Sequence, residues 1–289
     1  MELSGSAGAR VLTVTFHGVR GSTPCADPRL ERYGGNTSCV SLRGAGFDPI
    51  VLDLGTGLRS MGATWRPDEH FVGTALVTHL HWDHVQGLPF FTPVLRAGGH
   101  LTIHGPVQDG YPTLHAAFDT FMRPPFFPVR IGDLPGKVDF VDTPVGTFGL
   151  GPARVTAREI PHIGRTYGYR VDAGGASVAY LPDHQQPSDG SFGIAEEVLD
   201  LADGADLLIH DAQYVPAEFA KKADWGHCTI EYALWVAKRA KVRRLALFHH
   251  DPLRTDEQLD ALVVCARDQG RRWGIDVVAA AEGSTICLG

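Results

Sequence analysis

Three imidazoles and a carboxylate fall within one short run, Thr78-His79-Leu80-His81-Trp82-Asp83-His84, directly after the apolar segment Thr74-Ala75-Leu76-Val77. The apolar segment reads as a buried strand. A buried strand end is a rigid place from which to present side chains, so this run constrains the fold more than any other part of the chain. Four such groups crowded into one loop would desolvate one another at a steep cost unless something positive joined them. Imidazole and carboxylate are ligands suited to zinc, manganese or iron. A solvated His-rich turn is the plainer alternative, and the position of the run after a buried strand argues against it.

One loop does not close two metal sites, so partners are expected at other strand ends. His162 follows the strand-like Val155–Ile160, Asp183 follows Ser177–Leu181, and His249 follows Leu245–Phe248. His250 and Asp251 adjoin His249 and compete with it for the last assignment. Ends of neighbouring strands share one rim of a sheet, and these residues recur at that position.

The rest of the chain supplies the scaffold. Strands are predicted at Val11–Phe16, Cys39–Arg43, Ile50–Leu54, Thr74–Thr78 and Leu101–His104, then at Val138–Val141, Val155–Ile160, Gly168–Val171 and Ser177–Leu181. Asp119 to Pro135, rich in Pro and Phe, reads as an irregular loop or lid. Helices are predicted at Ile194–Ala202 and Thr229–Ala240, with strands at Leu207–His210 and Leu245–Phe248. A last helix starts at a capping box, Thr255 with Gln258, and is expected to stop at Gly270. Strands near Asp276–Ala279 and Ser284–Cys287 close the chain. Two half-chains of this kind suggest two sheets packed face to face with helices outside, an α+β four-layer αββα sandwich. No linker divides the 289 residues, so one domain is expected over 1–289, with 1–10 as a flexible leader.

Composition narrows the setting. Five cysteines, odd in number and without a CxxC pair, argue against a disulfide framework and for a reducing cytoplasm. No apolar run approaches the roughly 18–20 residues that span a bilayer, and Met1–Arg10 lacks a signal-peptide pattern. A net charge of −7 repels polyanions in bulk, which argues against nucleic acid as a partner. Bound divalent ions would reverse that sign locally and admit a small anion.

With its HxHxDH run of His79, His81, Asp83 and His84, the chain resembles the metallo-β-lactamase-fold hydrolases. The resemblance implies two divalent ions, zinc first, with manganese or iron also tolerated. It implies that His79, His81 and His162 hold one ion, that Asp83, His84 and His249 hold the other, and that Asp183 bridges them. Within that superfamily, Leu208-Ile209-His210-Asp211-Ala212 resembles the HEAT segment of ribonuclease Z, with Asp in place of Glu. Gly226-His227-Cys228-Thr229 resembles its HST segment, with Cys in place of Ser. Val19-Arg20-Gly21-Ser22 and Arg32 to Ser38 resemble the start of a bacterial cyclic-phosphodiesterase-like group, related to the phosphoribosyl cyclic phosphodiesterases. Ribonuclease Z carries a long arm for tRNA between the positions of His162 and Asp183, where this chain has only a short hairpin. The N-terminal Cys/His cluster of the phosphoribosyl enzyme is not evident. A homodimer is also implied by the resemblance.

The expected activity is hydrolysis of a small cyclic or diester phosphate, a cyclic nucleotide or cyclic ribose phosphate, by a hydroxide held between the ions. His227, Asp211 and Asp83 are the expected catalytic residues. His227 would stabilise phosphoryl oxygens or protonate the leaving alkoxide, with Asp211 setting its tautomer. His227 could instead cap the helix that follows it. Asp53 would orient a metal-bound histidine, or cap the Gly-rich turn after it. His184 would face substrate or sit on a surface loop, and His210 would support the sheet. Phe118, Phe121, Phe126 and Phe127 would stack on a base or ribose, or line a loop or subunit interface. Two alternatives are a lactone or thioester hydrolase and a metal-binding sensor without turnover.

Overall fold

The computed structural model describes residues 11–289, so the expected leader at 1–10 lies outside the described residues. The first half of the chain lays down β1 (Leu12–Gly18), β2 (Cys39–Arg43), β3 (Ile50–Leu52), β4 (Val72–Leu76), β5 (His100–Gly105) and β6 (Lys137–Asp142). The second half repeats the plan with β7 (Gly146–Leu150), β8 (Ala153–Glu159), β9 (Tyr167–Ala173), β10 (Ala176–Leu181), β11 (Leu207–Asp211), β12 (Arg244–Phe248) and β13 (Asp276–Ala279). The last strand, β14 (Thr285–Leu288), returns to pair with β1. Two seven-stranded sheets result, ordered β14-β1-β2-β3-β4-β5-β6 and β13-β12-β11-β10-β9-β8-β7. In each half the early strands pair antiparallel and the later ones parallel. Parallel neighbours present their C-terminal ends on the same side, and β8 runs in the same direction as β10 across two antiparallel steps, so the ligand candidates at these strand ends share one rim.

Burial follows from this layering. Leu12, Val14 and Phe16 alternate along β1 and meet Tyr169, Val171 and Phe248 of the other sheet in the central core. The outer face of the second sheet is covered by α4 (Glu196–Ala202), α6 (Ile230–Arg239) and α7 (Asp256–Trp273). The outer face of the first is covered by α1 (Gly57–Gly62) and α3 (Leu114–Phe121). Strands β10 and β11 are buried along their whole length because both of their faces are covered. The expected four-layer αββα sandwich is therefore the observed fold. The remaining helices are α2 (Trp82–Val85) in the His-rich loop and α5 (Pro216–Lys222).

Three readings are corrected. Helix α7 does not stop at Gly270 but runs on to Trp273, ending at Gly274 in the left-handed conformation. Gly270 is small for packing: a Cβ there would collide with Val277 on β13. Asp119 to Pro135 is not irregular throughout, since α3 continues to Phe121, its start capped by the Thr113 hydroxyl accepting from the Ala116 N–H. Strand β3 ends at Leu52 rather than Leu54, because Asp53 turns the chain with φ 57°. All five cysteines are free.

Candidate metal centre

The Asp183 carboxylate, beyond the end of β10, stands between two sets of imidazoles. Its Oδ1 lies 3.0 Å from His84 Nε2 and 3.1 Å from His249 Nε2. Its Oδ2 lies 3.6 Å from His79 Nε2 and 3.5 Å from His162 Nε2. His81 joins the second set, its Nδ1 3.3 Å from His162 Nε2. Asp83 joins the first, its Oδ2 3.3 Å from His84 Nε2 and 3.1 Å from His249 Nε2. Three groups with metal-ligand spacing emerge, His79-His81-His162-Asp183, Asp83-His84-His249 and Asp183-His227-His249, and the first two are the sets expected from the sequence. All seven side chains named from the sequence as ligands converge here.

The hydrogen bonds around the cluster fix which nitrogen of each ring points inward. Thr78 has a single hydroxyl proton, which it donates to Asp53 at 3.0 Å. Its oxygen therefore accepts the Nδ1–H of His79, at 3.0 Å. His84 Nδ1–H donates to Asp53 Oδ2 at 2.7 Å, and His162 Nδ1–H to the Gly226 carbonyl at 2.7 Å. His249 Nδ1–H donates to Gln213 Oε1 at 3.1 Å. Each of these four rings thus turns Nε2 inward, the arrangement that orients metal-ligating histidines. The buried His79 Nε2, His84 Nε2 and Asp183 Oδ1 have no hydrogen-bond partner within the protein. Orphaned buried acceptors are costly, and divalent metal is the group this donor set fits.

Electrostatics differ between the two sets, with the pKa of His249 raised like that of His84, against the pull of burial, by the Asp183 and Asp83 carboxylates. Burial lowers the pKa of His79 well below its usual value, lowers that of His81, and brings that of His162 to about 4, so these rings are neutral as ligands must be. Burial alone would keep His84 neutral, but the Asp183, Asp83 and Asp53 carboxylates outweigh it and raise its pKa well above the usual value. Asp83 and Asp183 are held ionised by the neighbouring histidines despite their burial.

Beside the cluster, His227 Nδ1–H donates to Asp211 Oδ2 at 2.8 Å, and Asp211 is the buried last residue of β11. The His227 ring stacks on His249 with centroids 4.9 Å apart. The following helix α6 is capped by the Thr229 hydroxyl, not by His227. A cleft of about 440 Å³ opens over Asp83, Asp183, His81 and His227.

Other candidates resolve differently. Asp53 does not cap the Gly-rich turn; it accepts from His84, from the Thr78 N–H at 2.7 Å and hydroxyl, and from Tyr180 OH at 3.0 Å. His250 does not compete with His249, since it is buried with Nε2–H donating to the Ala280 carbonyl at 2.9 Å. His184 is neither on the surface nor in the cleft. It is buried, and its Nδ1 lies 2.9 Å from His210 Nε2, while His210 Nδ1–H donates to the Asp211 carbonyl. Phe118 is a core residue, and Phe126 is exposed.

Several contributors had no role at the site assigned to them from the sequence, and Gln213 was not singled out at all. The Ser22 N–H donates to Asp83 Oδ2 at 2.8 Å, and the Gln213 amide donates to Ser22 Oγ at 3.2 Å. Ser22, Asp53 and His249 all hold positive φ (64°, 57° and 57°), the kind of backbone strain that gathers at functional sites. A Cβ on Gly21 would collide with the His249 ring, and one on Gly226 with the His162 ring. The available signal was adjacency: Gly21, Ser22 and Gly226 lie within segments already singled out, and Gln213 directly follows one. Arg20, fully buried, donates to the carbonyls of Gly34, Asp251 and Arg254, and so ties the first loop to the one that follows His249.

Comparison with known proteins places this geometry. Residues 49–250 match the family described as "Beta-lactamase superfamily domain". A ribonuclease Z of Natronomonas pharaonis is 28% identical over 283 residues, covering 82% of this chain and 86% of the relative. The metallo-β-lactamase-fold protein YhfI of Bacillus subtilis superposes with a TM-score of 0.72 at 17% identity, covering 96% of this chain and 100% of that one. The short form of human tRNase Z gives a TM-score of 0.63 at 24% identity, covering 95% and 98%.

Proposed function

The chain belongs to the beta-lactamase superfamily, as a metal-dependent hydrolase of its phosphodiesterase branch, and on that premise we propose that it hydrolyses a small cyclic or diester phosphate at a dinuclear centre. The observation that carries this reading is the His227–Asp211 pair standing beside a cluster that Asp183 divides in two. His79, His81 and His162 would hold one ion, Asp83, His84 and His249 the other, with Asp183 shared. Because ligands come from loops of both sheets, we read the chain as one functional unit. When bound, two divalent ions supply an acidified water, its pKa brought toward ~7, and positive charge for the phosphoryl oxygens. Zinc, manganese and iron all suit this donor set.

The chain's own residues supply the rest. Asp211 accepts His227 Nδ1–H, which leaves Nε2 as the ring nitrogen for a phosphoryl oxygen or for proton delivery to the leaving alkoxide. General acid catalysis of this kind is worth roughly 10²–10⁴-fold. Ser22 and Gln213 steady Asp83 and His249 through the bonds described above. Between His162 and Asp183 the chain makes only the β9–β10 hairpin, which supports a small substrate over a tRNA. Among the described residues no helix is long and apolar enough to cross a membrane.

The test is hydrolysis of bis(p-nitrophenyl) phosphate by metal-loaded protein, with wild type and His227→Ala compared at equal metal occupancy. Turnover that falls by two orders of magnitude or more in the variant supports the reading. No turnover by fully metallated wild type overturns it and directs attention to lactones and thioesters.

A further inference from the structure

A second cavity, of about 350 Å³, adjoins the cleft and shares Leu80, His81 and Trp82 with it. Its volume lies in the range of small-ligand pockets. Aromatic and aliphatic side chains of three separate segments wall it: Trp82 of the ligand loop, Tyr111 and Phe121 of the segment after β5, and Ile163 after β8. Trp82 is 75% exposed and Ile163 50%. A tryptophan left open to water between two metal-ligand candidates, His81 and Asp83, gains nothing from burial in the core, so its apolar surface is available to something that arrives.

The wall is held in place before any ligand comes. Gln108 donates its side-chain amide to the Arg165 carbonyl at 2.9 Å. Arg165 in turn donates to the Val107 carbonyl and to Asp109 Oδ1, both at 2.9 Å. These bonds clip the segment around Gln108 to the one around Arg165, and Gln108 and Thr120 add polar groups to the cavity lining.

We propose that this cavity receives the flat aromatic ring of the substrate, a nucleobase or an equivalent heteroaryl group, with Trp82 as a stacking face and Tyr111 and Phe121 as opposing wall. The occupant follows from continuity: a phosphate over Asp183 and His227 and a ring beside Trp82 belong to adjoining spaces of one molecule's size. A bare cyclic sugar phosphate leaves the aromatic wall wet, whereas a ring-bearing one covers it. The inference rests on the phosphodiesterase reading and narrows it to phosphodiesters that carry an aromatic ring. Trp82, Tyr111 and Phe121 are in this view specificity residues, not catalytic ones.

The experiment compares 2′,3′-cyclic adenosine monophosphate with a base-free methyl ribofuranoside 2,3-cyclic phosphate, using metal-loaded wild type, Trp82→Ala, Trp82→Phe and Tyr111→Ala. Stacking of one base on an aromatic side chain corresponds to roughly a 5- to 100-fold effect. Wild type is expected to prefer the base-bearing substrate by at least about tenfold in kcat/KM. Trp82→Ala and Tyr111→Ala are expected to lose that preference through KM, with turnover of the base-free compound and metal content unchanged. Trp82→Phe is expected to restore part of it. Tyr111 lies outside the ligand loop, so its variant reads the pocket without disturbing the metal side chains. Equal efficiency on both substrates in wild type, or equal losses on both in the variants, overturns the subsite while leaving the phosphodiesterase reading intact. Failure of metallated wild type on both compounds and on bis(p-nitrophenyl) phosphate overturns the reading and the subsite together.

Discussion

Asp53 accepts the Nδ1–H of His84 at 2.7 Å and, through the Thr78 hydroxyl, also sets the orientation of His79. One buried carboxylate thus steers a ligand candidate in each of the two groups, and Tyr180 anchors it from the opposite sheet. The strained φ of 57° at Asp53 places it there, at the point where β3 ends beside β4.

Replacing Asp53 with Ala therefore affects binding and folding together. Four donors lose their acceptor in a buried setting, and unfolding free energy is expected to fall by about 3–5 kcal/mol. Metal affinity is expected to drop roughly 10–100-fold, the usual effect of removing such an orienting partner. Urea unfolding and competition with a chromophoric chelator measure the two. Unchanged affinity for both ions would mean that the histidines are oriented by the loop backbone alone.

Asp211→Asn keeps the shape but changes the hydrogen bonding of His227. The side-chain NH2 of Asn can face Nδ1 and favour the wrong tautomer, as loss of a carboxylate partner does elsewhere. A fall in kcat of about 10–100-fold is expected, with KM and metal content held. Steady-state kinetics with metal analysis decide it, and a KM effect alone would assign Asp211 to substrate binding instead.

Removal of metal should destabilise the protein, because the buried acceptors of His79, His84 and Asp183 are then left without a partner. For an ion present at about 1,000 times its Kd, the linkage amounts to about 4 kcal/mol per site. Calorimetry with and without a chelator, followed by readdition of zinc, reads this as a reversible drop in Tm. A Tm indifferent to chelator would count against metal in this cluster.

His17 offers a pH test at a residue outside the ligand cluster. Burial, reinforced by Arg43, lowers its pKa from 6.5 to about 4, and its Nε2 lies 2.8 Å from Ser41 Oγ. The folded state thus resists a proton that the unfolded chain accepts below pH 6.5. The neutral ring's contribution is fully present above that pH and is lost as pH falls toward 4. The whole shift corresponds to roughly 3 kcal/mol at about 1.4 kcal/mol per unit. His17→Gln is expected to flatten the stability curve between pH 6.5 and 4 relative to wild type, with the two proteins diverging little above pH 7. Parallel curves across that window would show that His17 is protonated in the fold.

Much of this protein is written locally. Most strands announce themselves because each carries a short apolar run bounded by turn residues, and strand ends then point to His79, His162, Asp183 and His249; β7 (Gly146–Leu150) went unread because glycine at 146 and 149 breaks its apolar run. The Thr255 capping box marks the start of α7 because capping is a contact between residues three apart. Short helices such as α1, α3 and α5 left too little periodicity to read, and Gly270 looked like a stop because its partner Val277 lies on another element. His184 and His249 are both histidines after strands, yet one is sealed against His210 and the other faces Asp83, 166 residues earlier in the chain. The sequence by itself determined the donor types, the strand ends that carry them and the layered fold. Tertiary structure alone decided which nitrogen of each ring points inward, that Asp53 serves both groups and that an aromatic wall adjoins the cleft. Those facts depend on hydrogen bonds and contacts between segments far apart in sequence, and only the packing of one sheet against the other brings such segments together.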